Sequence, residues 1–186
     1  MLLLGCDNES GSANGIKKIK RINSFSIILE NGEKINLPTG DESVIFLIRP
    51  GEYVKDGSKR SMAYLTSAGY EYARKVGEIL SGAGIQHAMA MATRYGSESV
   101  QPTADKFGLE VLTYNNTDYG AYLDYVFNLK KGQRFVTVET LERLPELLRT
   151  FTAGETFQTY PPGVYNKLYL IIGSERTNVK IHELHF

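Results

Sequence analysis

Along residues 25–38, FSIILENGEKINLP, two apolar runs flank Asn31-Gly32, the pair favoured in a tight primed turn, and predict a β-hairpin. SVIFLI (43–48) is apolar on both faces, which suits a strand in the middle of a covered sheet. After a loop rich in Gly, Lys and Ser the period changes. Thr66 can cap a helix that runs to about residue 82, with Tyr72, Val76, Ile79 and Ala83 at helical spacing and SGAG as its stop. HAMAMA (87–92) is a short strand. PTADKFG (102–108) reads as a helix with its proline near the first turn, where a missing N–H costs little. LEVLTY (109–114) is the next strand. DYGAYLDYVFNLKKG (118–132) is a helix with lysines in its last turn and Gly132 past its end.

RFVTV (134–138) is a strand, and LERLPELLRTF (141–151) sets Leu141, Leu144, Leu148 and Phe151 on one helical face. KLYLIIG (167–173) and NVKIHELHF (178–186) close the chain as a strand pair. Alternation of strands and helices in this order predicts an α/β fold of three layers, α/β/α. Its central sheet is mostly parallel with antiparallel additions, and an N-terminal β-hairpin precedes it. Residues 1–16 are expected to be a tether and 17–186 a single domain.

The charge balance changes little in this picture. Lys and Arg number 21 against 21 Asp and Glu, so no global field favours a nucleic-acid partner. The basic stretch KKIKR (17–21) is taken as a solvated edge. The single cysteine excludes an internal disulfide and a cysteine-rich metal site. Its setting, LLGC (3–6), resembles the end of a lipoprotein signal, followed by the polar DNESGSANG, although MLLL is short for the apolar part of such a signal. Lipidation of Cys6 and attachment to the cell envelope are the expectation. An ordinary thiol in a frayed terminus, with a cytoplasmic protein, is the alternative. No segment approaches the ~18 apolar residues of a membrane span, so membrane contact is expected only through a lipid anchor.

The candidate chemistry starts in IFLIRPGEYVKDG (45–57), where a strand delivers Arg49 to its end and Pro50, Gly51 and Glu52 follow. LTSAG (65–69), SVQPTADKFGLEV (99–111), TVETLERLPELL (137–148) and the closing strand pair come after it in order. This succession resembles the histidine phosphatase superfamily, the phosphoglycerate-mutase-like fold, from about residue 43 to 186. Members of that family open with Arg-His-Gly or Arg-His-Ala and then Glu. They continue to a Leu-Thr-x-x-Gly helix start, a second arginine ahead of a Thr-Ala-Glu-Pro helix, and a second histidine after a later strand. Carried onto this chain, the resemblance keeps Arg49 but puts Pro50 where the nucleophilic histidine stands and Thr140 where the second histidine stands. The second arginine falls on Tyr95 beside Arg94, or on Ser99 in a shifted alignment.

In the family one imidazole attacks phosphorus while two arginines and the other histidine hold the phosphate oxygens. Pro50 offers no nucleophile and no N–H. Thr140 and Tyr95 offer a hydroxyl but no positive charge. The sequence therefore leads us to expect no catalytic residues at these positions and a protein without phosphatase activity. It would bind a phosphate-bearing or other anionic ligand, or a protein partner, and need no cofactor. Ligand contacts would come from Arg49 as a fork to two oxygens, Glu52, Arg94 and Arg143, the last two replacing lost charge. The alternatives are a hydrolase or phosphatase with relocated catalytic residues, using Glu52 or Thr140 with water or a metal, and a scaffold whose pocket binds nothing. Glu52 also reads as an ordinary loop acid, and Arg94 and Arg143 as solvated arginines. His87, His182 and His185 are expected at the surface or a sheet edge. Tyr119, Tyr122 and Tyr125, three apart, read as half-buried packing residues ahead of an aromatic binding face.

Overall fold

The computed structural model describes residues 15–54, 63–152, 157, 161 and 163–186. The tether assigned to 1–16 lies outside these residues except for Gly15 and Ile16, and so does the lipidation expected at Cys6. The N-terminal hairpin forms at Asn31-Gly32, with Gly32 in the left-handed region at φ 86°. It is part of a three-stranded antiparallel sheet: β1 (Ile19–Asn23), β2 (Ser26–Leu29) and β3 (Lys34–Asn36), in that order. Residues 19–21 of the basic stretch 17–21 thus belong to a paired strand. Ile19 and Ile22 of β1 are buried while Lys20 and Arg21 face solvent, so a solvated charge run and a core strand coexist in one segment.

β4 (Ser43–Ile48) is buried at every position, as its unbroken apolar run requires. After it, β5 (Tyr53–Val54) and β6 (Tyr64–Leu65) pair as a short antiparallel flap within what reads as loop in the sequence. α1 (Ser67–Ile79) starts where expected. Thr66 Oγ1 accepts from Gly69 N at 3.1 Å, and a single 3-10 turn continues the helix to Gly82. β7 (His87–Met91) follows.

α2 (Arg94–Phe107) begins eight residues earlier than PTADKFG suggests, and this is a correction. Thr93 caps it by accepting from Gly96 N at 3.2 Å. Pro102 therefore lies inside the helix, where it removes the N–H that would bond the Glu98 carbonyl. Beyond it come β8 (Val111–Tyr114), α3 (Gly120–Asp124) continued by a π turn over Tyr125–Leu129, β9 (Arg134–Val138) and α4 (Leu144–Thr150). α4 is shorter than the pattern over 141–151, because residues 141–143 form a turn and Pro145 sits in the first helical turn. β10 (Lys167–Glu175) and β11 (Asn178–His185) complete the chain.

The central sheet has the order β11-β10-β4-β9-β7-β8, with β4, β9, β7 and β8 mutually parallel and β10 antiparallel to both of its neighbours. α1 and α2 pack together on one face. On the other, Ser43 Oγ reaches Val126 O at 3.0 Å, and the Phe127 and Phe151 rings meet at 6.0 Å, joining the α3 segment to α4. A three-layer α/β/α architecture results, as expected. It gathers the carboxyl ends of β4, β9 and β7 along one edge, where ligands of open α/β sheets bind.

Candidate functional site at the carboxyl edge of the sheet

Arg49 is the first residue beyond β4 and is only 8% exposed. Its Nη1 donates to Val164 O at 2.9 Å, and its guanidinium lies 4.0 Å from the centre of the Tyr165 ring. Tyr72 from α1 donates its hydroxyl to the Arg49 carbonyl at 3.2 Å, and burial chiefly holds that phenol protonated. Arg49 Nε is buried without a hydrogen-bond partner, and no carboxylate pairs with the guanidinium among the described residues.

The backbone after Arg49 is clamped against the helix layer. Gly51 N donates to Ser99 Oγ at 3.0 Å, and Ser99 in turn donates to Tyr95 O at 2.6 Å. Pro50 and Gly51 are buried, whereas the Glu52 side chain is in solvent. The Glu52 carbonyl accepts from Thr66 N at 2.9 Å. Gly51 and Gly69 face each other so closely that a Cβ on Gly51 would stand 2.5 Å from the Gly69 oxygen, and one on Gly69 would stand 2.1 Å from the Glu52 oxygen.

On β9, Val138 pairs with Ile48, and Glu139 N donates to Ile48 O at 3.1 Å, so Glu139 and Thr140 follow beside Arg49. Thr140 is buried and its Oγ1 has no partner. Tyr95, where a second arginine was sought, is wholly buried in the first turn of α2 and stacks on Tyr53 at 4.0 Å between ring centres. It brings no charge. Arg94 points outward, pairs with Glu98 at 2.7 Å and lies 5.3 Å over Tyr64. Arg143 pairs with Glu146 at 3.1 Å and lies 5.7 Å over the Tyr119 ring, while its Nε is buried without a partner.

The edge also holds a residue that the sequence reading passed over. Glu139 is fully buried, and both of its carboxylate oxygens are filled. Oε1 accepts from Thr140 N at 2.6 Å and from Asn116 Nδ2 at 3.1 Å; Oε2 accepts from the Tyr119 hydroxyl at 2.9 Å and lies 3.1 Å from the Tyr114 hydroxyl, whose single proton is shared with Val138 O at 2.9 Å. Burial, and then the Glu139 charge, drives both phenols far above the usual tyrosine range. An acid directly after a five-residue buried strand, with tyrosines at 114 and 119, was the available signal.

The expected packing role holds for Tyr119 and Tyr122, which are buried, Tyr122 sharing a 3.1 Å hydrogen bond with Thr137. The three histidines have partners of their own. His87 opens β7 at the opposite edge, stacked 4.9 Å from Phe135 and bonded to Gln133. His185 pairs with Glu183 at 3.3 Å, and His182 lies in a groove of about 450 Å³ with Glu33, Lys34 and Lys180. Among the described residues no cluster of three acid, histidine or cysteine ligands for a metal forms.

No family model matches the sequence, and no curated protein does. Solved structures do match. The protein histidine phosphatase SixA complexed with tungstate is 18% identical with a TM-score of 0.64, over 76% of this chain and 96% of that one. The putative alpha-ribazole-5'-P phosphatase of Escherichia coli K-12 is 12% identical with a TM-score of 0.55, over 77% and 96%. The phosphoglycerate mutase of Bacillus anthracis Sterne is 10% identical with a TM-score of 0.57, over 77% and 93%. These relatives overturn the expectation that the chain is not an enzyme: the structures it is similar to are phosphatases and a mutase. Substitutions at residues 50 and 140 are no ground for excluding catalysis when a carboxylate and unsatisfied donors line the same edge. The chain thus has the fold of the histidine phosphatase superfamily, matched over about three quarters of its length.

Proposed function

We propose that this protein holds a phosphate-bearing ligand at the carboxyl edge of its sheet and hydrolyses it, as a phosphatase whose reacting groups lie away from positions 50 and 140. The observation that carries the proposal is the Arg49 guanidinium: buried, without an acid and with a free Nε. Burying an uncompensated charge costs several kcal/mol, roughly, so such a group is retained where an anion completes it. The tungstate bound by SixA is an oxyanion of the kind a forked guanidinium receives.

In this proposal Arg49 binds two phosphoryl oxygens, and Thr140 Oγ1, which has no partner, donates to a third. The solvent-facing Glu52 carboxylate takes a proton from water as the water oxygen attacks phosphorus. The ester P–O bond breaks, and the proton passes on to the departing alkoxide.

The test is phosphate release from p-nitrophenyl phosphate and a panel of phosphomonoesters, with melting temperature recorded in phosphate. Phosphate at ~100 times its dissociation constant adds about 2.7 kcal/mol, an upward shift of roughly 5 to 10 °C for a chain of this size. Arg49→Ala is expected to abolish both the shift and turnover, and Glu52→Gln to abolish turnover alone. A shift without turnover would overturn the hydrolase and leave a binding site. No shift and no turnover would overturn the proposal entirely.

A further inference from the structure

The buried Arg49 guanidinium is not idle in this structure; it is occupied. Its Nη1 donates at 2.9 Å to the carbonyl of Val164, 115 residues further along the chain, and the Tyr165 ring centre lies 4.0 Å from the guanidinium carbon. A carbonyl oxygen and the negative face of a ring are the partners a cation takes when no anion pairs with it. Nε, which has no partner, is itself buried. A grip on two oxygens uses either Nε with one Nη or the two Nη groups together. The buried Nε obstructs the first, and the Val164 carbonyl crowds the second. Thr140 Oγ1, the other donor assigned to the ligand, is buried as well. The contacts that satisfy Arg49 thus keep an anion out.

The segment that makes these contacts can leave without opening the core, because Val164 and Tyr165 are only half-buried. One end is tied: Phe186 N donates to Asn166 O at 2.9 Å, and β10 starts at Lys167. The other end turns at Gly163, in the left-handed region at φ 86°, and the bond across that turn, Val164 N to Pro161 O, is long at 3.3 Å. The Tyr165 ring also meets Tyr72 edge-on at 5.4 Å, while the Tyr72 hydroxyl independently holds the Arg49 carbonyl. Arg49 therefore keeps its place when the ring departs. We propose that residues 163–166 form a strap over the site: when it is closed, Val164 O and the Tyr165 ring take the guanidinium in the ligand's place, and the phosphoryl group binds after the strap swings off about Gly163. This rests on the anion site proposed above and adds its gate. Strap and ligand compete for one cation, so the measured phosphate affinity falls below the intrinsic one by the fraction of molecules that are open.

The experiment compares the dissociation constant for inorganic phosphate in the unmodified full chain and in Tyr165→Ala, by titration calorimetry. Removing the ring from the guanidinium is expected to tighten binding about fivefold, and Arg49→Ala added to Tyr165→Ala to abolish it. Binding seen only in Tyr165→Ala would support the strap in its strongest form. Equal or weaker binding in a folded Tyr165→Ala would overturn the strap, and turnover by the unmodified protein would still stand for the function. If neither protein binds phosphate, both the strap and the site fall. Tyr165→Trp covers the case in which Tyr165→Ala does not fold. The chain has no other tryptophan, and the indole keeps a ring over Arg49. Its emission should shift with phosphate at the dissociation constant that calorimetry gives, and an emission unchanged at saturation would overturn the strap.

Discussion

Replacing Gly69 by alanine tests the way the fold presents its site. The added Cβ would stand 2.1 Å from the Glu52 carbonyl oxygen, a severe overlap, and 3.0 Å from the Glu52 nitrogen, a tight contact. Both obstacles are backbone, so no side chain can swing aside. Either the segment 50–52 moves off α1 or the first turn of α1 retreats. The first breaks the 2.9 Å bond from Thr66 N to Glu52 O, and the second breaks the cap from Thr66 to Gly69 N. Overpacking of this kind costs about 1–3 kcal/mol, and a lost cap about 1 more. In a chain of 186 residues that sum corresponds to a fall in melting temperature of roughly 4 to 16 °C. Urea denaturation and thermal melts measure it, with Gly40→Ala as control, since a Cβ there meets nothing within 4 Å. Phosphate affinity should fall as well, because Gly51 N also anchors to Ser99 and the segment carries Arg49. A Gly69→Ala protein as stable as the control would refute the close approach.

Tyr72→Phe removes one buried hydrogen bond to the Arg49 carbonyl, and chemical denaturation should register a loss of about 1 kcal/mol. His182 is held below its ordinary value, first by burial and then by the Lys17 charge, with Lys180 adding to this and Glu33 opposing it. The folded state therefore binds its proton less readily than the unfolded chain. Its contribution to stability is present above about pH 6.5 and lost as pH falls through the lower folded value. Denaturation from pH 7.5 down to 5 should show a slope that flattens in His182→Gln, and an unchanged slope would count against this assignment.

Much of the layered architecture is legible because its core strands are extreme. SVIFLI and RFVTV are buried at every position, the first an unbroken apolar run and the second apolar at Phe135, Val136 and Val138. α1 announces itself through a cap and a period. α2 does not, since its buried face includes Tyr95, Gly96, Ser99, Thr103 and Ala104, small or polar residues that blur the helical repeat. Pro102 compounds this, because a proline inside a helix looks like a proline at its start. At the site, Arg49 was legible from the end of its strand. Glu139 was not, because its donors Tyr114, Asn116 and Tyr119 lie twenty or more residues upstream and meet it only once β8 and β9 have taken their places in the sheet. The outward turn of Arg94 follows from Glu98 one helical turn on, a pairing within reach of spacing alone.

The order of the central sheet leaves two strands with an unpaired side, β11 and β8. β8 is four residues long, too short to template much pairing. β11 is eight, and it carries Lys180, His182, Glu183 and His185. Near its end the chain leading into β1 lies alongside it, with His185 N donating to Lys17 O at 2.8 Å and a bridge between Lys18 and His185. At that end the lead works as a selvedge, closing the last amide of the row against strand addition by another copy. The basic residues around it, which looked idle beside the site chemistry, contribute to keeping the protein from assembling edge to edge.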